Sequence, residues 1–393
     1  MKVLFVTPHI PHLYGGGLRM YYQLKYLSRN GIKPHLLCFS AQGEKISDDI
    51  KSFTEAVYTV PLKPNNLTKR LKKLMTLKAY DIDRNFLNLA NSLLRNKTYD
   101  LIHIHKFQMA EYFLMQHHIP VIVDLWACGL SGALNEVLYE KNLFDKLIKL
   151  TRLPRFYLAD RKYYRNFDYF FVVSNEAKSY ILKRFPSKKV YVVPNGVELE
   201  MIKRSSNDHI NYTLIFTGDM SFFQNVDTVI FFVNEIYPYI KAKIPQIRFY
   251  VVGKNPHKSI LGLSQKDNSI IVTGYVENMW EYLSKASVFV APIRTGAGIR
   301  NKILEALACG LVVVATKNAV EGISVEDQKN VIIAQRKDFA DKVIEVLLDH
   351  NKRKRISENA RKLVEENYRW DKIASDMVNY CNEILNEFYS KNR

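Results

Sequence analysis

The stretch Val288-Phe289-Val290-Ala291-Pro292-Ile293-Arg294-Thr295-Gly296-Ala297-Gly298-Ile299-Arg300-Asn301-Lys302-Ile303-Leu304-Glu305-Ala306-Leu307-Ala308-Cys309-Gly310 joins a strand, a glycine loop and a helix in that order. Val288–Ala291 is apolar without alternation, as a strand covered on both faces requires. Gly296 and Gly298 let the backbone approach a ligand closely, and the first amides of a helix expected to start near Ile299 and end before Gly310 would face an anion. Arg300 and Lys302 add positive charge there, where a charge-assisted hydrogen bond is worth about 1.5–3 kcal/mol. Glu305 lies among Leu304, Ala306 and Leu307, where a carboxylate without a partner is costly and a ribose diol would supply two donors. Strand, glycines, cations and half-buried acid in this order point to a bound diphosphate; the competing reading is a helix start with ordinary surface charges.

The same unit opens the chain. Residues 2–6 read as a strand, Gly15-Gly16-Gly17 as the loop, residues 18–30 as a helix ended by Gly31, and residues 35–39 as the next strand. Apolar runs recur at Leu101–His105, Val121–Leu125, 169–173 and 190–193, and a second series follows at 212–216, Arg248–Val252, 269–272, Val288–Ala291, Val312–Ala315 and 331–334. Strands alternating with helices predict parallel sheets with both faces covered, so the fold class is α/β with two doubly wound domains in succession. Pro194-Asn195-Gly196-Val197 interrupts periodic structure and sets the expected join, giving a first domain over 1–195 and a second from 196.

A length of 393 residues fits two such domains, and 47% apolar with 24% charged residues excludes a disordered or fibrous chain. The net charge of +18 calls for anionic partners. The first 196 residues hold thirty Lys and Arg against fifteen Asp and Glu, the remainder twenty-seven against twenty-four. Two basic segments with interleaved apolar residues, one running from Lys63 to Lys78 and one from Lys141 to Arg165, read either as docking surfaces for an anionic membrane or as solvated helix faces. Nucleic acid is disfavoured, because no recognisable binding module is present. Cys38, Cys128, Cys309 and Cys381 are scattered without a Cys-x-x-Cys pair, which indicates neither a disulfide framework nor a thiolate zinc site. Residues 3–6 are too short for a signal segment and no run approaches the roughly 18 apolar residues of a membrane span. The expected location is therefore cytoplasmic, with any membrane contact peripheral.

The ordered pieces together resemble the family 4 glycosyltransferases, in the branch with Gly-x-Gly-x-Arg-x-Lys-x-Leu-Glu-Ala, here Gly296 to Ala306. The resemblance also takes in the opening strand and Gly15-Gly16-Gly17, the strand Leu101–His105 with Asp100, Val192 to Val197, Phe216-Thr217-Gly218-Asp219-Met220 with Asn225-Val226-Asp227, Val251-Val252-Gly253, and Val272-Thr273-Gly274-Tyr275-Val276. It implies the GT-B fold, two Rossmann-like domains facing across a cleft, and transfer of a sugar from a nucleotide diphosphate donor with retention and without a required metal or cofactor. It further implies Glu305 on the ribose; Gly218, Gly296, Gly298, Ile299, Arg300 and Lys302 around the diphosphate; and Tyr275 and Val276 at the base. Gly16 and Gly17 would lie at the acceptor side, residues 196–370 would form the donor domain, and residues 371–393 a helix returning to the first.

Three departures from the family pattern bear on the chemistry. Ala297 stands where many relatives carry a second glutamate seven residues before Glu305. Gly218-Asp219-Met220 and Asn225 occupy the region where relatives often have an Arg and a Lys, so Arg300 and Lys302 are expected to act in their place. Trp126 stands where a histidine is common, leaving Asp124 as the candidate polar catalytic group and His105 as a cleft contact at the end of its strand. His103 and His105 share one strand face, but no third zinc ligand is evident from sequence. Asp81-Ile82-Asp83 follows a basic helical segment and reads as chance, and Met20 breaks a dinucleotide fingerprint. The expected function is transfer to a glycan or lipid-linked glycan in bacterial cell-surface polysaccharide synthesis. The alternatives are a nucleotide-sugar epimerase of the same fold, for which Ala297 removes a carboxylate, and a non-catalytic membrane-associated scaffold.

Overall fold

The computed structural model describes residues 1–13, 16–62, 80–116, 118–126, 129–138, 143–202, 212–296 and 298–391. Gly15, Ala297, Cys128, Lys141 and the basic segment from Lys63 to Lys78 lie outside the described residues. The chain divides into two units, Met1–Asn195 with Trp370–Arg393, and Gly196–Arg369.

In unit 1 the strands are β1 (Val3–Thr7), β2 (His35–Ser40), β3 (Ala56–Pro61), β4 (Leu101–His105), β5 (Val121–Leu125), β6 (Tyr169–Val172) and β7 (Lys189–Val192). They form a parallel sheet in the order β3-β2-β1-β4-β5-β6-β7. Every residue of β1, β4 and β5 is buried, because helices cover both faces, and this is why these strands read as unbroken apolar runs. The edge strand β3, which the sequence pattern did not reveal, is mostly half-buried and built on Tyr58, Thr59 and Val60. The helix Gly17–Arg29 packs with the C-terminal helix Trp370–Lys391 over one sheet face, and Trp370 stacks on Tyr22 with centroids 5.4 Å apart.

Unit 2 carries β8 (Thr213–Thr217), β9 (Arg248–Val252), β10 (Ile270–Gly274), β11 (Val288–Ala291), β12 (Val312–Ala315) and β13 (Ile332–Ile333), parallel in the order β10-β9-β8-β11-β12-β13. One core cluster fills this unit, with Phe216, Phe232, Phe249 and Leu304 all at most 1% exposed. Chain order reverses between β1 and β4 in the first unit and between β8 and β11 in the second. In open parallel sheets ligands bind outside the carboxyl ends of the strands at such points. The loop that begins at Gly218 follows β8 and the Gly296–Gly298 loop follows β11, so the second switch point brings together two pieces separated by almost eighty residues.

The helix after β11 spans Asn301–Ala308, two residues later than its expected start near Ile299. Gly298 holds a φ of 85°, and Arg300, with φ −97° and ψ 108°, is still extended. The loop therefore runs on to Arg300.

Candidate active site

At the carboxyl end of β8, Gly218 adopts a φ of 150°, and an added Cβ would fall 2.6 Å from Lys302 Nζ and 2.7 Å from Asn225 Nδ2. The space that a side chain would take is occupied by the Lys302 ammonium. Lys302 Nζ donates to Asn225 Oδ1 at 2.7 Å and lies 4.2 Å from the centroid of the Phe216 ring. Asn225 is itself fixed, its amide donating to the Asp219 carbonyl at 2.7 Å. Asn225, the residue that departs from the family pattern, is thus the seat of Lys302.

Burial pulls the Lys302 ammonium down to about 7, with Arg300 adding repulsion and Glu305 opposing both. Burial likewise pushes the Glu305 carboxyl up to about 7, against the pull of Lys302. Both groups are held near neutrality by the same desolvated surroundings, and a bound dianion would favour protonated Lys302. Substituting Gly218 by alanine is expected to strain the backbone and push Lys302 aside, lowering nucleotide affinity roughly tenfold while the fold survives; calorimetric titration of Gly218→Ala checks this. At Gly253 the added Cβ would lie 1.8 Å from the Gly218 carbonyl oxygen, a backbone collision with no such escape.

Arg300 is placed differently from the sequence expectation. Its guanidinium is turned onto backbone carbonyls, donating to Gly296 at 2.9 Å, Thr295 at 3.2 Å and Asn318 at 2.5 Å. It clamps the glycine loop, while the Lys302 ammonium lies against Gly218. Among the described residues no side-chain hydrogen bond caps the N-terminus of the Asn301–Ala308 helix, and a helix N-terminus favours an anion. Gly296, with φ 94°, and Ile299, packed against the core, border the same loop. Tyr275 is 73% exposed just after β10, and Val276 beside it is half-buried.

In unit 1 the structure buries two of the candidate residues. Asp124 is fully buried, and its carboxylate is already spent on protein partners. Arg19 donates from Nε to Oδ1 at 3.0 Å and from Nη2 to Oδ2 at 2.9 Å; Gln23 donates to Oδ2 at 2.9 Å, and His103 Nε2 lies 3.3 Å from that oxygen. Burial alone would push this carboxyl up, but the Arg19 guanidinium and the His103 hydrogen bond hold it well below the usual carboxylate range. A group so enclosed is held within the core of unit 1 by its donors. His105 is also fully buried, stacked on His103 at 4.9 Å and beside Phe5 at 4.8 Å. Burial pushes it well below its ordinary range, which keeps it neutral.

Space supplies the third ligand atom that the sequence did not show, since nitrogen atoms of His103 and His105 and an oxygen of Asp124 lie within 4.8 Å of one another. The bidentate Arg19 guanidinium already neutralises that carboxylate, so the donor set does not fit a divalent cation. Gly16 and Gly17 serve close packing: a Cβ on Gly16 would fall 2.4 Å from the Trp126 ring, and one on Gly17 would fall 2.2 Å from the His12 ring. Sequence reasoning missed Arg19, Gln23 and Lys106. The first two were signalled by the carboxylate of Asp124 in an apolar strand, which demands a donor. Lys106 gave no signal; it holds a φ of 69°, and its ammonium lies 3.9 Å from the Trp126 ring centroid.

The "Glycosyltransferase Family 4" profile matches residues 14–201, and the "Glycosyl transferases group 1" profile matches residues 211–349. The chain is 22% identical over 240 residues to an uncharacterized glycosyltransferase of Methanocaldococcus jannaschii, covering 57% of this chain and 60% of that protein. It is 20% identical over 338 residues to an uncharacterized 44.6 kDa protein in the cps region of Klebsiella pneumoniae, covering 83% of this chain and 80% of that one. Among solved structures, HepE of Anabaena in complex with UDP and glucose superimposes with a TM-score of 0.68 at 15% identity over 98% of this chain and all of that one. Two profiles in tandem and two parallel-sheet α/β units place the chain in glycosyltransferase family 4, with the GT-B fold.

Proposed function

We propose that the chain is a retaining, metal-independent transferase that moves a sugar from a nucleotide diphosphate donor to a hydroxyl of a glycan or lipid-linked glycan in bacterial cell-surface polysaccharide synthesis. The observation that carries this is the Lys302 ammonium, seated by Asn225 and Phe216 against Gly218 at the switch point of the second sheet. UDP and glucose in the HepE structure and the cps setting of the Klebsiella protein support the reading.

In this mechanism Lys302 and the helix N-terminus take up negative charge on the departing diphosphate, the role a divalent cation performs in other transferases. The acceptor oxygen attacks the anomeric carbon from the face that the diphosphate leaves. The carbon–phosphate-oxygen bond breaks, the new glycosidic bond forms, and the acceptor proton passes to the departing phosphate oxygen. Glu305 accepts the ribose hydroxyls, and Tyr275 and Val276 meet the base. Replacing Glu305 by glutamine removes a charged acceptor and is expected to weaken nucleoside diphosphate binding by roughly 10- to 150-fold. Incubation with a panel of nucleotide sugars and a bacterial membrane extract, with NMR of the product, tests the reaction. An anomeric configuration equal to that of the donor supports it; an inverted product, or sugar epimerised without acceptor, contradicts it.

The proposed site of action is the cytoplasmic face of a membrane. No helix among the described residues is long and apolar enough to cross one, but the helices Leu143–Leu150 and Leu153–Asn166 present the surface that peripheral contact needs. Leu143, Leu147 and Leu150 follow i, i+4, i+7 spacing, yet they are 74%, 55% and 42% exposed. An apolar stripe facing solvent marks an interaction surface. The residues from 143 to 166 hold seven Lys and Arg against Asp145 and Asp160, which selects an anionic bilayer.

A further inference from the structure

An open cavity of about 490 Å³ lies between the helices Leu153–Asn166 and Asn175–Leu182 of unit 1. Its lining includes Asp160, Arg161, Arg165, Arg184, Tyr157 and Tyr180, none of which serves the transfer chemistry. Asp160 is 5% exposed. Its Oδ2 accepts the Leu130 N–H at 3.0 Å, near the start of the helix Gly129–Leu138, while its Oδ1 is buried with no hydrogen-bond donor among the described residues. Burial raises this carboxyl to about 6, opposed by the Leu130 N–H and by Arg184.

The arginines stand in a contrasting state. Arg184 lies 3.9 Å over the Tyr180 ring, and Arg161 donates to the Tyr157 hydroxyl at 3.2 Å. None of the three guanidiniums has a carboxylate within ion-pair distance among the described residues. Guanidinium forks suit phosphate oxygens, and a buried carboxylate oxygen without a donor suits a hydroxyl. A ligand that satisfies both carries a phosphate and a free hydroxyl a few bonds apart. The cavity shares Tyr157 and its helix with the exposed apolar face, where Leu158 is 47% exposed.

We infer that this cavity seats the headgroup of an anionic phospholipid whose headgroup bears free hydroxyls, with phosphodiester oxygens on the arginines and a hydroxyl donating to Asp160 Oδ1. The inference rests on the membrane reading above and adds lipid selectivity to it.

Co-sedimentation with phosphatidylglycerol vesicles and with phosphatidylmethanol vesicles of equal charge separates the two ideas, because only the first lipid has headgroup hydroxyls. The wild-type chain is expected to bind phosphatidylglycerol roughly tenfold more tightly. Asp160→Asn keeps an acceptor for Leu130 and is expected to abolish that preference at unchanged thermal stability. The triple variant Arg161→Gln, Arg165→Gln, Arg184→Gln is expected to weaken binding to both vesicles. Equal wild-type binding to the two lipids, or an intact preference in Asp160→Asn, overturns the headgroup site and leaves membrane docking standing. Calorimetric binding of soluble glycerol phosphate without any vesicle preference assigns the cavity to a small molecule and also overturns it. Absence of binding to either anionic vesicle overturns the membrane reading itself.

Discussion

Replacing Lys302 by methionine is expected to lower kcat/KM by about 100- to 1,000-fold, because one preorganised donor on a developing negative charge contributes about 2.7–4 kcal/mol in a desolvated site. Methionine keeps an unbranched apolar stem of similar length and removes the buried charge that lies over Phe216, so the thermal midpoint is expected to hold or rise. The pH profile of kcat/KM carries the sign. Lys302 must be protonated to act on the diphosphate, and its value is pulled down to about 7. Glu305 must be ionised to accept two ribose hydroxyls, and its value is pushed up to about 7. A wild-type profile that falls on both sides of neutrality is expected, since kcat/KM reports groups of the free enzyme. In Lys302→Met the alkaline fall disappears; in Glu305→Gln the acid fall disappears. A Lys302→Met enzyme with wild-type kcat/KM would remove this residue from the chemistry.

Arg19→Met is expected to cost unit 1 about 3–5 kcal/mol, the range for breaking a buried ion pair and stranding one partner. At about 2–4 °C per kcal/mol for a domain of this size, the midpoint should drop on the order of 10 °C. Asp124 would keep only Gln23 and His103 as donors, and acid would become the route to relief. In the wild-type chain the folded value lies below the ordinary one, so the contribution of Asp124 is present above about pH 3.8 and is lost only as the pH falls further. In Arg19→Met the sign reverses: burial then holds the unpaired carboxyl above its unfolded value, so the variant is expected to gain stability between pH 7 and 4 as that carboxyl takes up a proton. Combining Arg19→Met with Asp124→Asn should restore most of the lost stability, because the stranded charge is gone. Differential scanning calorimetry at two pH values measures both effects, and an Arg19→Met midpoint equal to that of the wild type would show that the pair does not order the core.

The difference between what was legible in the sequence and what was not follows from the range of each interaction. Strands such as Val288–Ala291 and Leu101–His105 are buried on both faces, so their residues carry the message locally. The edge strand β3 is half-buried, and Tyr58 and Thr59 hide it among loop-like neighbours. The glycine loop and the helix bearing Lys302 and Glu305 were readable because they are contiguous. The seat of Lys302 was not, since Asn225 lies 77 residues away and is chosen by the order of strands in the sheet. Arg300 could be read as a cation, but sequence does not say whether a guanidinium turns to a ligand or to carbonyls eighteen residues on at Asn318. Asp124 and His105 looked like cleft groups because they end strands at a switch point. The helix Gly17–Arg29 lays Arg19 and Gln23 one turn apart over that end and encloses them.

Calorimetric titration of nucleoside diphosphates into the wild-type chain and into Lys302→Met tests the central claim most directly. Saturable binding of at least one nucleoside diphosphate to the wild type, weakened roughly tenfold or more in Lys302→Met, is the predicted result. Equal affinity in the two proteins, or no binding by a folded wild-type chain, would contradict a diphosphate site built on Lys302.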